Sequence, residues 1–335
     1  MNSKHGVCAW FAALVLSAWL APPTTGSATA QSGTWKPSKP IEFVVPALAG
    51  GSLDRPVRLV QKIWQDEKLL NVPVVVVNRG GGGQSVGYTY VHQQTADPHR
   101  LLIVSGPLVS NHITARSKLN YTDFSLLGQL YNEYNTLSVR ADGPFKTAND
   151  LLVKLRGAPD SLSVAIGTTL GNNSHIAIAL PFKRAGIDIR KLRTVAFPSA
   201  GESVSNLLGG HLDYVSGGLS VASAHWKAGR LRFLAVTAPK RLEGEYASIP
   251  TWKEQGIDAV VSNSRFIMAP PGLTPAQIAF WDNLFRRTIA SPEWKKVVQH
   301  EQWVDEYVSS AGARKLLDQE YAETREILAD LGMAK

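Results

Sequence analysis

The chain has 335 residues and carries 35 Lys and Arg against 27 Asp and Glu, a net charge of +8. No basic run interleaved with aromatics accompanies that excess, which excludes a dedicated nucleic-acid surface and leaves attraction for small anions, or plain solubility, as its meaning. The one cysteine, Cys8, lies in the N-terminal apolar segment, so the rest of the chain holds no disulfide, thiolate metal site or cysteine nucleophile.

Residues 1–30 read as a secretory signal peptide. Lys4 supplies the charge, Val7 to Ala21 the apolar run, and Ala28-Thr29-Ala30 the small residues of a cleavage site. The run is short of the roughly 20 residues a membrane span needs. It predicts an exported protein. What remains is longer than one core usually supports, so two domains are expected. Domain 1 is placed at 31–138 plus 263–335, and domain 2 at 139–262.

The first strand, Ile41 to Val45, is a β-branched and aromatic run suited to a covered sheet. Pro46 stops its ladder, and Gly50 and Gly51 allow close backbone approach. Ser52 or Asp54 is the expected cap of a helix through Val57, Val60, Ile63 and Trp64. Such a helix start offers free N–H groups and partial positive charge, which suit a carboxylate or phosphate.

The chain then repeats the device. Strand Val74–Val77 leads through Asn78-Arg79 and a glycine run to Gln84-Ser85 and a helix of about 86–94. Strand Leu101–Val104 ends in Ser105-Gly106-Pro107. A strand at 136–140 and a helix at 148–156 lead into a second unit. There, strand Ser163–Ile166 is followed by the turn Gly167 to His175 and a helix that Pro181 is expected to end or kink. Strand Arg193–Phe197, a turn containing Ser199, a helix at 203–208 and strand Leu231–Thr237 complete that unit. Arg265 to Ala269 is a strand leading back, and the tail is helical at 275–290, 292–299 and 312–331. This alternation predicts an α/β protein with two mixed, mainly parallel sheets.

In such sheets, turns after strands lie where ligands bind. The first turn contributes Ala47, Leu48, Gly50, Gly51, Ser52 and Asp54. Ser85 and Ser105 follow the next two strands. In the second unit the candidates are Thr169, Gly171, Asn172, Asn173, Ser174 and His175, with Ser199 one strand further on. His175 reads equally as a ligand group or as a capping residue at the helix start. Arg265 is a candidate for bidentate pairing with a carboxylate, or for a surface salt bridge. The expected occupant is a small organic anion held by backbone amides and hydroxyls, with no cofactor. The scattered histidines show no H-x-x-x-H spacing, so no metal site is expected. Gly83-Gln84-Ser85-Val86-Gly87 spells G-x-S-x-G and supplies the alternative, an exported serine hydrolase using Ser85. Its spacing is wrong, because Arg79 to Gly83 separate the strand from the serine.

Several blocks in chain order carry a further signal. They include Lys39-Pro40-Ile41 with Ala49-Gly50-Gly51-Ser52-Leu53-Asp54, Pro73-Val74-Val75-Val76 with Asn78-Arg79, and Asn173-Ser174-His175. Leu207-Leu208-Gly209-Gly210-His211-Leu212-Asp213 and Ala269-Pro270-Pro271-Gly272-Leu273-Thr274-Pro275 continue the series. The chain resembles the tripartite tricarboxylate transporter receptors, also called Bug receptors. That resemblance implies a two-domain periplasmic-binding-protein fold (type II) with the ligand cleft between the domains. It implies a monomeric, non-enzymatic receptor for a carboxylate or related compound, working with integral membrane subunits of a tripartite transporter; a membrane sensor is the alternative partner. It also implies that Ala47 to Asp54 and Thr169 to His175 hold the ligand's carboxylate. The sequence departs from the family at Ala47, Leu53, Pro198-Ser199 and Ser216-Gly217-Gly218. Ala47 is expected to widen the cleft, and Leu53 to make it less polar.

Overall fold

A computed structural model describes Trp35 to Lys335 except Thr168. The expected signal peptide at 1–30 lies outside the described residues. In chain order the elements are β1 (Ile41–Val45), α1 (Asp54–Asp66), β2 (Val74–Asn78), α2 (Ser85–His92), β3 (Arg100–Val104), α3 (Pro107–Ile113), β4 (Ser125–Tyr131) and β5 (Asn135–Arg140). They continue with α4 (Ala148–Gly157), β6 (Ser163–Gly167), α5 (Asn173–Arg184), β7 (Arg193–Phe197), α6 (Ala200–Leu208), β8 (Tyr214–Gly218), α7 (Leu219–Lys227) and β9 (Leu231–Val236). The last are β10 (Arg265–Ala269), α8 (Pro275–Ala290), α9 (Pro292–Glu301), β11 (Val308–Ser309) and α10 (Ser310–Asp330).

The strands form two sheets, ordered β11-β4-β10-β3-β1-β2 and β7-β6-β8-β5-β9. β1 runs parallel to β2 and β3, and β6 parallel to β7 and β8. β10 is antiparallel to β3 and β4, β11 to β4, and β5 to β8 and β9. The sheets are therefore mixed, with antiparallel pairings slightly in excess, not mainly parallel as expected. The cause is the crossing strands: chain that leaves one sheet through β4–β5 and returns through β9–β10 must run against its neighbours.

The two crossings lie side by side. Tyr134 bridges Ser262, the Asn263 N–H donates to the Glu133 carbonyl at 2.9 Å, and the Thr237 N–H donates to the Asn135 carbonyl at 2.9 Å. α10 packs on both halves of the chain. Leu317 and Leu328 join the core around β3 and β10, while Ile327 joins the core around β6 and β8. Lys183 on α5 pairs with Glu326 at 2.7 Å and also with Asp330.

Two expectations fail for local reasons. Pro181 does not end its helix: α5 runs on to Arg184, and the Ala185 N–H closes on the Pro181 carbonyl at 2.9 Å. So near the C-terminus one missing N–H is tolerated. β4, a buried central strand, is absent from the reading above because Gly128 and Gln129 break its apolar pattern.

Aromatic packing fills the core beneath the first sheet. Trp64 stacks with Phe43 and Trp281 at centroid distances of 6.1 and 6.0 Å. The Trp64 indole N–H donates to Thr288 Oγ1 at 2.7 Å, and that hydroxyl donates to the Leu284 carbonyl at 2.8 Å. Both side chains are fully buried. Thr288→Val keeps the shape but strands the indole N–H, so it is expected to cost about 1–3 kcal/mol in chemical denaturation without changing the fold.

Candidate functional site

The first turn is organised from beneath by Asp54. Its carboxylate is 1% exposed and accepts from the Gly50 N–H at 2.8 Å, Arg58 Nε at 2.7 Å and Asn78 Nδ2 at 2.9 Å. Asn78 Nδ2 also donates to the Ala47 carbonyl at 3.1 Å, and Arg58 reaches Asn78 Oδ1 at 3.2 Å. Burial alone would raise the Asp54 pKa. The hydrogen bonds from Arg58, Gly50 and Asn78 outweigh burial and hold it below the ordinary value. Neither Ser52 nor Asp54 caps α1, as the sequence led us to expect; Leu53 is the N-cap residue and provides no side-chain bond. Asp54 faces back into the loop because three donors meet it there.

That inversion leaves the Ser52 and Leu53 N–H groups without an internal acceptor among the described residues. Ser52 is exposed, Ala47 half-buried, and Leu48 stands 80% exposed on the lip. Leu53 is buried in the core against Val57 and Phe43, so it does not tune the polarity of the cleft. Gly50 takes φ +79°, a conformation that favours glycine.

Ser85 opens α2, and its Oγ is buried without a hydrogen-bond partner. Ser105 is buried and directly follows β3. Beside it, a Cβ on Gly106 would stand 3.7 Å from Asn173 Cβ, so the β3 turn of one sheet meets the β6 turn of the other. Arg116 adds a bond to the Leu170 carbonyl at 3.4 Å across the same junction.

In the second turn Asn172 caps α5, accepting from the His175 N–H at 3.0 Å and donating to the Gly167 carbonyl. His175 is buried, and its Nδ1 accepts from the Gly171 N–H at 3.0 Å. Burial pushes its pKa down to about 4, so it is a neutral brace for the turn. Of its two readings, the structural one fits. The Asn173 side chain is taken up by Asn135 at 2.6 Å and by the Ser262 carbonyl. The backbone N–H groups of Asn173 and Ser174, in the first turn of α5, have no internal acceptor among the described residues. Thr169 is exposed on the rim. Ser199 is exposed and spends its Oγ capping α6 through the Glu202 N–H at 3.1 Å.

Arg265 is 3% exposed. Nη2 pairs with Glu133 Oε1, and Nη1 donates at 2.7 Å to both the Asn263 carbonyl and its Oδ1. It is therefore paired inside the protein, and its ion pair with Glu133 is buried, unlike either the ligand-binding clamp or the surface salt bridge offered for it by the sequence. Sequence reasoning passed over Glu133, Asn78 and Asn135. Asn78 gave a signal, as a polar residue ending an apolar strand before a glycine run; Glu133 and Asn135 gave none.

A cavity of about 280 Å³ adjoins the Gly106–Asn173 junction, with Glu320 and Glu323 of α10 on its wall. Burial first, then the Glu323 charge, push the Glu320 carboxyl up to about 7 against the pull of Arg265. Such a wall is unsuited to an anion. No cluster of acidic, His or Cys side chains able to hold a metal occurs among the described residues.

The family model described as "Tripartite tricarboxylate transporter family receptor" matches residues 58–333. The chain belongs to that receptor family. A Cupriavidus necator protein, "UPF0065 protein in gbd 5'region", is 26% identical over 336 residues, covering 99% of this receptor and 97% of its own length. A solved TctC solute-binding protein from Polaromonas is similar with TM-score 0.76 and 22% identity, over 88% of this chain and 99% of its own. An R. palustris protein solved with adipate gives TM-score 0.75 and 21% identity, over 89% and 99%. At these identities the structures speak for the fold alone. The matched family is one of receptors rather than enzymes, and Ser85 Oγ is buried with no hydrogen-bond partner among the described residues, so the base that the hydrolase alternative needs is not beside it.

Asp54→Ala is expected to cost about 1–3 kcal/mol, read by chemical denaturation, because it strands the Gly50 and Asn78 donors. His175 predicts a pH limb. The unfolded chain binds more protons than the native one between about 4 and 6.5, so this residue's contribution to stability rises with pH across that window. Glu320 works in the opposite sense between 4.5 and about 7. His175→Gln should therefore remove the rising part, leaving a stability–pH curve that slopes downward relative to wild type.

Proposed function

We propose that this receptor is exported to the periplasm as a monomer and captures a small carboxylate between two lobes. The lobes are residues 31–138 with 263–335, and residues 139–262. They present the ligand to integral membrane subunits of a tripartite transporter. The observation that carries this reading is a pair of N–H groups without an internal acceptor among the described residues in each of the two turns: Ser52 and Leu53 after β1, Asn173 and Ser174 after β6. Both pairs sit at helix starts, where partial positive charge and free donors favour an anion.

Several features support the reading. The boundary at 262/263 lies in the crossing from β9 to β10, while that at 138/139 lies inside β5, just past the crossing from β4; two adjacent crossings of this kind are a natural place for a hinge. The adipate bound to the R. palustris protein is a carboxylate of the proposed kind. No described helix is long and apolar enough to cross a membrane, so membrane subunits would do the transport. The sites at Ala47 to Asp54 and Thr169 to His175 supply main-chain donors, while Asp54, Asn172 and His175 hold those donors in place.

The test is a thermal-shift screen of the chain lacking residues 1–30 against mono-, di- and tricarboxylates and neutral analogues. An acid at about 100 times its dissociation constant is expected to add about 2.7 kcal/mol of stability, a shift of several degrees. Stabilisation by neutral analogues but by no acid would overturn the carboxylate reading.

A further inference from the structure

Asn132, Tyr134, Ser262 and Ser264 line the cavity beneath α10, whereas the neighbouring Glu133, Asn263 and Arg265 do not. These three are bonded to one another, with Arg265 Nε alone left buried without a partner. Glu133 Oε1 accepts from Arg265 and from Asn263 Nδ2 at 2.6 Å, and Asn263 in turn receives Arg265 Nη1. The Arg265 charge is thereby neutralised inside the protein.

The other Glu133 oxygen, Oε2, has no partner among the described residues, and the side chain keeps 12% exposure. It lies 3.7 Å from where a Cβ on Gly218 would stand, and a Cβ on Gly217 would meet nothing within 4 Å. Gly217 and Gly218 end β8, so this open space lies at the carboxyl end of a strand, on the ligand side of the second sheet. Among the described residues, the base of the cleft thus offers an acceptor oxygen and room beside it, while the neighbouring cation, Arg265, is 3% exposed and already spends both terminal nitrogens on Glu133 and Asn263, leaving only its buried Nε without a partner. A second carboxylate arriving there would meet Glu133 across a short gap and lose its water without compensation. An N–H or O–H would find its acceptor.

Resting on the carboxylate-receptor reading, we propose that the cleft selects organic acids whose far end carries a hydrogen-bond donor, an amide, ammonium or hydroxyl group, over dicarboxylates. Glu133 Oε2 is the selecting acceptor, and Gly217-Gly218 provides the space. Arg265 and Asn263 position Glu133 and do not touch the ligand.

Calorimetric titration with length-matched acids tests this. One series has four carbons and one six, each comprising the dicarboxylate and its ω-amide, ω-amino and ω-hydroxy monoacids. In the wild-type protein a donor-ended acid is expected to bind at least tenfold more tightly than its matched dicarboxylate. Glu133→Gln, which removes the repelling charge and leaves that of Arg265 uncompensated, should shift the ratio at least tenfold toward the dicarboxylate. Gly218→Ala, whose methyl group makes only ordinary contact with Glu133, should weaken the donor-ended acids alone, and it keeps the test open if Glu133→Gln fails to fold. A dicarboxylate preference in the wild type, or a ratio unmoved by the variants that fold, overturns the selectivity while leaving the receptor reading intact. Binding of no acid in either series overturns both.

Discussion

Everything at the rim of the first sheet depends on one buried carboxylate. Asp54 gathers the Gly50 amide, the Asn78 side chain and Arg58 around itself, and Asn78 extends the set to the Ala47 carbonyl. A loop of small residues with an exposed Leu48 would otherwise sample many conformations, and ordering it only on ligand binding would weaken affinity. Fixing the loop from within leaves the Ser52 and Leu53 amides without an internal acceptor among the described residues before any ligand arrives. The second turn reaches the same end differently, with the neutral His175 ring bracing Gly171 and Asn172 capping the helix. Two turns of unrelated sequence thus expose paired donors.

What joins the turns is a narrow bridge of two adjacent strands, with α10 laid across both halves. The bridge carries polar residues, unusual for chain so deeply buried. Some of them line the cavity under α10. Others, Glu133 and Asn263, tie down Arg265. Pairing a buried arginine inside the protein avoids the cost of an isolated charge, and it also decides what the base of the cleft can offer a ligand.

The strand-to-helix turns were legible in sequence because local chemistry dictates them. An apolar run, a stop at Pro46 and a glycine pair leave few alternatives, and β1, β7 and β10 fall on their expected residues. The turns after β3 and β6, which meet at Gly106 and Asn173, were named correctly as turns. Their side-chain roles were not legible, since they depend on partners far away in the chain. Asp54 faces Asn78, Asn173 faces Asn135, and Arg265 faces Glu133. A residue type well suited to a ligand is equally suited to a buried neighbour, and only the fold decides between them. β4 was hidden for a related reason: its Gln129 is polar yet buried, held by the Glu306 carbonyl at 3.3 Å, so its pattern denied its position.

The central claim is that backbone amides of the two turns, held in place beforehand, grip the anion together. Its most direct measurement is backbone amide chemical shift in a receptor labelled with ¹⁵N at Ser, Leu and Asn, titrated with an acid that binds. The account predicts that Ser52, Leu53, Asn173 and Ser174 move together along one saturation curve. Shifts confined to residues around the cavity under α10, with these four amides unmoved, would contradict it.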